Sequence, residues 1–119
     1  MLTQKDYCDY DTCVALEEVG MLLETQIVRS YAKEGIQTSK IYPNRPSLYE
    51  AQKWLREVKK IFVDINTSID LNNNEHFNYT ITFHNKRILE RYTSFDWDYE
   101  DALLEGIKEA IKILKEETI

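Results

Sequence analysis

The chain predicts an α+β fold with helices packed on one sheet face, and three patterns carry that expectation. Apolar residues recur at helical 3-4 spacing over 48–58 and 99–114. Over 61–69 and 77–84 they alternate with polar residues, the period of antiparallel strands with one solvated face. Two runs rich in β-branched and aromatic residues, 27–31 and 36–42, bracket Glu34-Gly35 and read as a hairpin. The expected order is helix, β-hairpin, helix, three-stranded antiparallel meander, helix, in a single domain over 1–119.

The first helix is expected to start at an Asp9 N-cap and stop at Gly20 in the C′ position. Cys8 then falls at N′ and Cys13 at N4, the two positions that meet in a hydrophobic staple, so both thiols act as small apolar groups. Their spacing, with no histidine near in sequence, fits no zinc pattern. In the hairpin, Gly35 supplies the positive φ of the turn. Pro43-Asn44-Arg45-Pro46 then ends any ladder, because proline lacks the N–H and restricts the residue before it.

Ser47-Leu48-Tyr49-Glu50 is a capping box. The helix it opens carries Leu48, Ala51, Leu55 and Val58 on one face and Lys53, Arg56, Lys59 and Lys60 on another, with Trp54 on the flank. Three strands are expected next: Ile61 to Ile69, Phe77 to His84 and Arg87 to Thr93, joined by a polar loop over 70–76 and a tight turn at Asn85-Lys86. The last helix starts at Asp98, with Asp101 at N3 and Trp97 and Ala102 as its staple. Its stripe runs Tyr99, Ala102, Leu103, Gly106, Ile107, Ala110, Ile111 and Leu114, and the small residues Ala102, Gly106 and Ala110 form a groove that lets it lie close to the sheet.

The segments RPSLYEAQKWLREVKKIFVDI at 45–65 and YEDALLEGIKEAIKIL at 99–114 resemble a group of small α+β proteins common in gut-bacterial (Bacteroidetes-type) genomes and their prophages. In that group a proline and a hydroxyl N-cap lead into a similar helix and strand, and the chain ends in a similar helix. The resemblance extends to the first helix, Tyr10 to Gly20, and departs at Asp101, Leu104 and Ile107. It implies a shared fold and a mobile-element origin; it carries over no catalytic residue.

With 15 basic and 21 acidic side chains the formal charge is −6, and the field of the whole molecule repels phosphate backbones and anionic lipid. No apolar run approaches the roughly 18 residues of a membrane span, and the N-terminus has neither the basic nor the apolar region of a secretory signal, so a cytoplasmic address is expected. No Gly-rich phosphate loop, nucleophile elbow or metal-binding helix motif is present. The reading is therefore non-enzymatic, with no catalytic, cofactor or metal residue assigned. His76 in a polar loop and His84 on the polar phase of a strand are both read as solvated.

Residues 47–116 follow the element order of double-stranded-RNA-binding domains, but Asp96, Asp98, Glu100 and Asp101 occupy the place where such a domain needs lysines. Lys53, Arg56, Lys59 and Lys60, with Trp54 and Tyr49 for stacking, form a candidate basic stripe for single-stranded nucleic acid. The plainer account is a solvated helix face that complements the helix dipole. Eight Tyr, two Trp and four Phe exceed what three short helices and a small sheet need, and such rings are enriched at protein interfaces. Tyr31, Tyr42 and Phe62 are the candidate contact surface. The leading expectation is a protein-interaction domain, with a second copy of itself as one partner; the alternatives are a nucleic-acid accessory protein using the basic stripe and an acidic mimic of nucleic acid.

Overall fold

The computed structural model describes residues 2–83, 86–88 and 98–117. Along the chain lie a 3-10 turn (Gln4–Asp6), α1 (Tyr10–Glu18), β1 (Gln26–Ala32), β2 (Gly35–Ile41), α2 (Leu48–Val58), β3 (Ile61–Ile69), β4 (Glu75–Phe83), β5 (Lys86–Ile88) and α3 (Tyr99–Glu117). The class is α+β, with antiparallel sheets. Among the described residues β1 and β2 pair only with each other, while β3 and β4 pair along nine residues each, from Ile61 opposite Phe83 to Ile69 opposite Glu75. β5 continues that second sheet over Lys86–Ile88; the rest of the strand expected to reach Thr93, with His84, Asn85 and Trp97, lies outside the described residues.

Each helix begins where a side chain satisfies its first free N–H groups. Asp9 Oδ1 accepts from Thr12 N at 2.8 Å. Ser47 Oγ accepts from Glu50 N at 3.1 Å, and Glu50 Oε1 from Ser47 N at 3.3 Å. Asp98 Oδ1 accepts from Asp101 N at 2.8 Å, and Asp101 returns the bond to Asp98 N at 3.2 Å. α1 ends in a Schellman arrangement in which Met21 N donates to Leu16 O at 3.0 Å and Gly20 N to Glu17 O at 3.0 Å. Gly20, at φ 106°, takes the left-handed place that this geometry needs.

The outward alternation of β3 and β4 sends Ile61, Val63, Tyr79, Ile81 and Phe83 to one face, where they meet Leu48, Ala51 and Leu55 of α2 and Leu103, Ile107, Ala110 and Ile111 of α3 in one core. α2 and α3 lie against this sheet, and α1 packs against α3, adding Cys13 and Leu16. Gly106 sits where a Cβ would meet Val63 Cγ1 at 2.6 Å and Tyr79 Cβ at 3.2 Å, so the small-residue groove does let α3 approach the strands. On the edge of β3 that no described strand pairs with, Gln52 Nε2 of α2 donates to Val63 O at 2.7 Å, which occupies a backbone acceptor that another strand would need.

Several expectations change. Tyr42 is buried, not part of an exposed surface: its hydroxyl donates to Glu17 Oε1 at 2.6 Å, and its ring meets Tyr10 of α1 edge-on. Val58 is exposed because α2 ends there, so it leaves the apolar stripe. His76 is not simply solvated; it belongs to β4, and its Nε2 lies 2.8 Å from Asp70 Oδ2. The polar loop is correspondingly shorter, and Asp70 organises it by accepting from Asn72 N and Asn74 N, both at 2.9 Å. The 3-10 turn is not among the expected elements, although Thr3 and Asp6 stand at capping-box spacing. Asp6 in it is buried and accepts from Thr3 N at 2.8 Å and Tyr49 Oη at 3.1 Å, while Cys8 N donates to Pro46 O at 2.9 Å, tying the N-terminal segment to the start of α2.

Candidate interaction surface

The β1–β2 hairpin stands away from the core. Its described side chains are exposed along both strands, and the molecule measures 57 × 36 × 27 Å with a radius of gyration of 16.8 Å. A compact chain of this length would have a radius near 13.5 Å. The hairpin forms because its residues favour extended backbone and Gly35, at φ 113°, closes the turn.

Its register sorts the side chains. Residues directly opposite share a face, so Ile27 with Lys40, Arg29 with Thr38 and Tyr31 with Ile36 line one side of the arm. Gln26 with Ile41, Val28 with Ser39 and Ser30 with Gln37 line the other. The first face carries the more exposed hydrophobes, Ile27 at 64%, Ile36 at 61% and Tyr31 at 84%, together with the cations Arg29 and Lys40, while the uncharged second face exposes Val28 and Ile41 less. Lone exposed hydrophobes are ordinary on a protein surface, but here Tyr31 and Ile36 stand directly opposite each other near the tip, with Ile27 on the same face beyond the Arg29–Thr38 pair.

The root of the arm is held firmly. Glu17 of α1 accepts from Lys40 Nζ at 2.6 Å as well as from the Tyr42 hydroxyl, and Asn44 bonds Glu24. Lys40 and then Tyr42 draw the Glu17 carboxyl below the usual carboxylate range. Burial, then Glu17, raises the Tyr42 hydroxyl. A fixed root with a free distal half gives a projecting arm rather than a loose loop.

Of the other candidate contact residues, Phe62 is 38% exposed on the helix-free face of β3, opposite Thr82, and so belongs to a different sheet from Tyr31. The basic stripe is shorter than expected. Lys53 and Arg56 lie one turn apart on α2, but Lys59 is its C-cap and Lys60, at φ 58°, has left the helix. Lys59 Nζ sits 5.8 Å from the centre of the Trp54 ring, which packs against the core, and Tyr49 is tied to Asp6. Burial, then Asp6, pushes the Tyr49 hydroxyl up to about 12.

Cys8 and Cys13 are both fully buried thiols. Burial foremost, and then Cys13, pushes Cys8 up to about 12, and burial raises Cys13 also, so neither is a nucleophile near neutral pH. Among the described residues no group of three His, Cys, Asp or Glu side chains is placed to hold a metal ion, and no helix is long and apolar enough to cross a membrane. A shallow groove between α1 and α3 is lined by Thr12, Ala15 and Ile111, with Asp11, Lys108, Lys112 and Lys115 around them. Sequence reasoning found Tyr31 but not Ile27 and Ile36 beside it; the hairpin register, once laid out, is the signal that joins them.

Comparison with known proteins gives no match: no family model, no curated protein and no solved structure is similar to the chain.

Proposed function

We propose that this protein is a non-enzymatic interaction domain whose docking element is the β1–β2 arm. The observation that carries the reading is the exposed Ile27–Tyr31–Ile36 face on a ribbon whose root is pinned by Glu17. An isolated two-stranded hairpin is marginal in water, and a ribbon of this kind gains most by receiving a partner on its apolar face or free edges. The partner class is protein rather than nucleic acid, because the molecule is acidic and Lys53 and Arg56 alone make a poor phosphate track. A cytoplasmic setting, a mobile-element origin and a three-stranded meander belong to the same reading.

The test is affinity capture from lysate with tagged wild type and an Ile27→Asp/Tyr31→Asp variant, each with and without nuclease. A nuclease-resistant partner held by wild type and lost by the variant is the expected result. Partners that vanish with nuclease, or that the variant retains, would count against the arm.

A further inference from the structure

We infer that the occupant of the arm is a second copy of this chain, each arm lying on the acidic body of the other; this rests on the arm being a docking element. Charge complementarity within the one sequence comes first. Gln26–Ile41 holds three basic side chains, Arg29, Lys33 and Lys40, and one acidic, Glu34, whereas the rest of the chain holds twelve basic and twenty acidic; with Lys40 already paired to Glu17 of its own body, Arg29 and Lys33 are the charges the arm presents. A positive, partly apolar ribbon is thus attached to a negative body. Two arms stacked on each other would set like charges together, while an arm on a partner's body sets opposite charges together.

Area points the same way. The folded chain exposes 8259 Å², where its mass leads to about 6,800 Å² for a compact monomer. The excess of about 1,500 Å² is what a projecting arm adds to a compact body, and it leaves the arm's surface open to a partner. Reciprocity is the third consideration. Two-fold symmetry lets every copy offer one arm and one body, so two arm-on-body contacts form together and neither arm is left open. The edge of β3 is a poorer site for self-pairing, since Gln52 already occupies Val63 O.

Sedimentation velocity over a concentration series tests this, with far-UV circular dichroism confirming that each variant keeps its fold. Wild type should form a dimer whose dissociation constant rises at least about tenfold in Tyr31→Asp/Ile36→Asp, the order of effect expected from a central aromatic contact. It should also rise in the charge reversal Arg29→Glu/Lys33→Glu and between ~50 mM and ~500 mM salt, as screening removes the attraction. A monomer at every concentration, or a dimer that Tyr31→Asp/Ile36→Asp leaves intact, would overturn the inference. A dimer unchanged or tightened by the charge reversal would also overturn it, because that is the behaviour of arm stacked on arm. If the chain is monomeric yet the arm variant loses a different protein in the capture experiment, the second copy is excluded and the docking role of the arm stands.

Discussion

At Gly106 one missing methyl group sets the distance between α3 and the sheet. The position is helical, so alanine there would gain up to about 1 kcal/mol of intrinsic propensity. That gain is opposed by a Cβ only 2.6 Å from Val63 Cγ1, with Tyr79 Cβ and Cγ at 3.2 and 3.3 Å behind it. Val63 and Tyr79 are both buried, so neither can swing into solvent. Overpacking of this kind costs about 1–3 kcal/mol, and the steric cost should win. Gly106→Ala is therefore expected to lower the midpoint of thermal unfolding by several degrees, read by circular dichroism or calorimetry. An unchanged or raised midpoint would mean that α3 can lift from the strands without loss.

Helix ends show which local signals act and where one is missing. α1 closes on Gly20 at φ 106°, and the corresponding place after α2 is held by Lys60 at φ 58°. A side chain in that region costs about 1 kcal/mol, which glycine avoids, although glycine also adds freedom to the unfolded chain. Lys60→Gly should then stabilise the fold by about 0.5 kcal/mol, seen as a higher denaturant midpoint with unchanged m-value. The same residue shows how far the sequence could be read. The caps at Asp9, Ser47 and Asp98 and the alternation of β3 and β4 were legible because they depend on neighbours three residues or two residues away. The end of α2 was not, since a lysine at C′ has no distinctive signature, and Val58 and the lower half of the basic stripe were misplaced with it. Tyr42 escapes a local reading for a longer-range reason: the partner that buries it, Glu17, lies 25 residues earlier in the chain. In the hairpin, the pattern told that Tyr31 sits on a strand, but periodicity says which residues share a face and not whether anything covers it.

Across the whole molecule the titratable groups with displaced pKa values bound a window of stability. Asp6, Glu17 and Asp70 are lowered by their bonds: Asp6 chiefly by Thr3 N, Glu17 by Lys40 and Asp70 by His76. For Asp9 and Asp98 burial is the largest single cause and pushes the carboxyl up, but the bonds and charges of Thr12 and Lys108 at Asp9, and of Lys5 and Asp101 at Asp98, together outweigh it. The folded state then binds fewer protons than the unfolded one in acid, so these groups stabilise the fold above their ordinary values and lose that contribution as pH falls through the lowered ones. Cys8, Cys13, Tyr42 and Tyr49 are displaced upward, with burial the first cause in each. Their contribution is complete below the ordinary thiol and phenol values and is lost as pH climbs from about 9 towards 12. The thermal midpoint should accordingly be level from about pH 5 to pH 8.5 and fall on both sides. The alkaline limb has its own signature, because the thiols ionise only when the core opens. Reaction of Cys8 and Cys13 with a thiol reagent at pH 8 should be slow in the native protein and rapid in denaturant, and in the native protein should quicken along with the falling midpoint above pH 9. Fast labelling of either cysteine in the native state at pH 8 would show that the staple under α1 opens locally, and would leave the fall at high pH to the tyrosines alone.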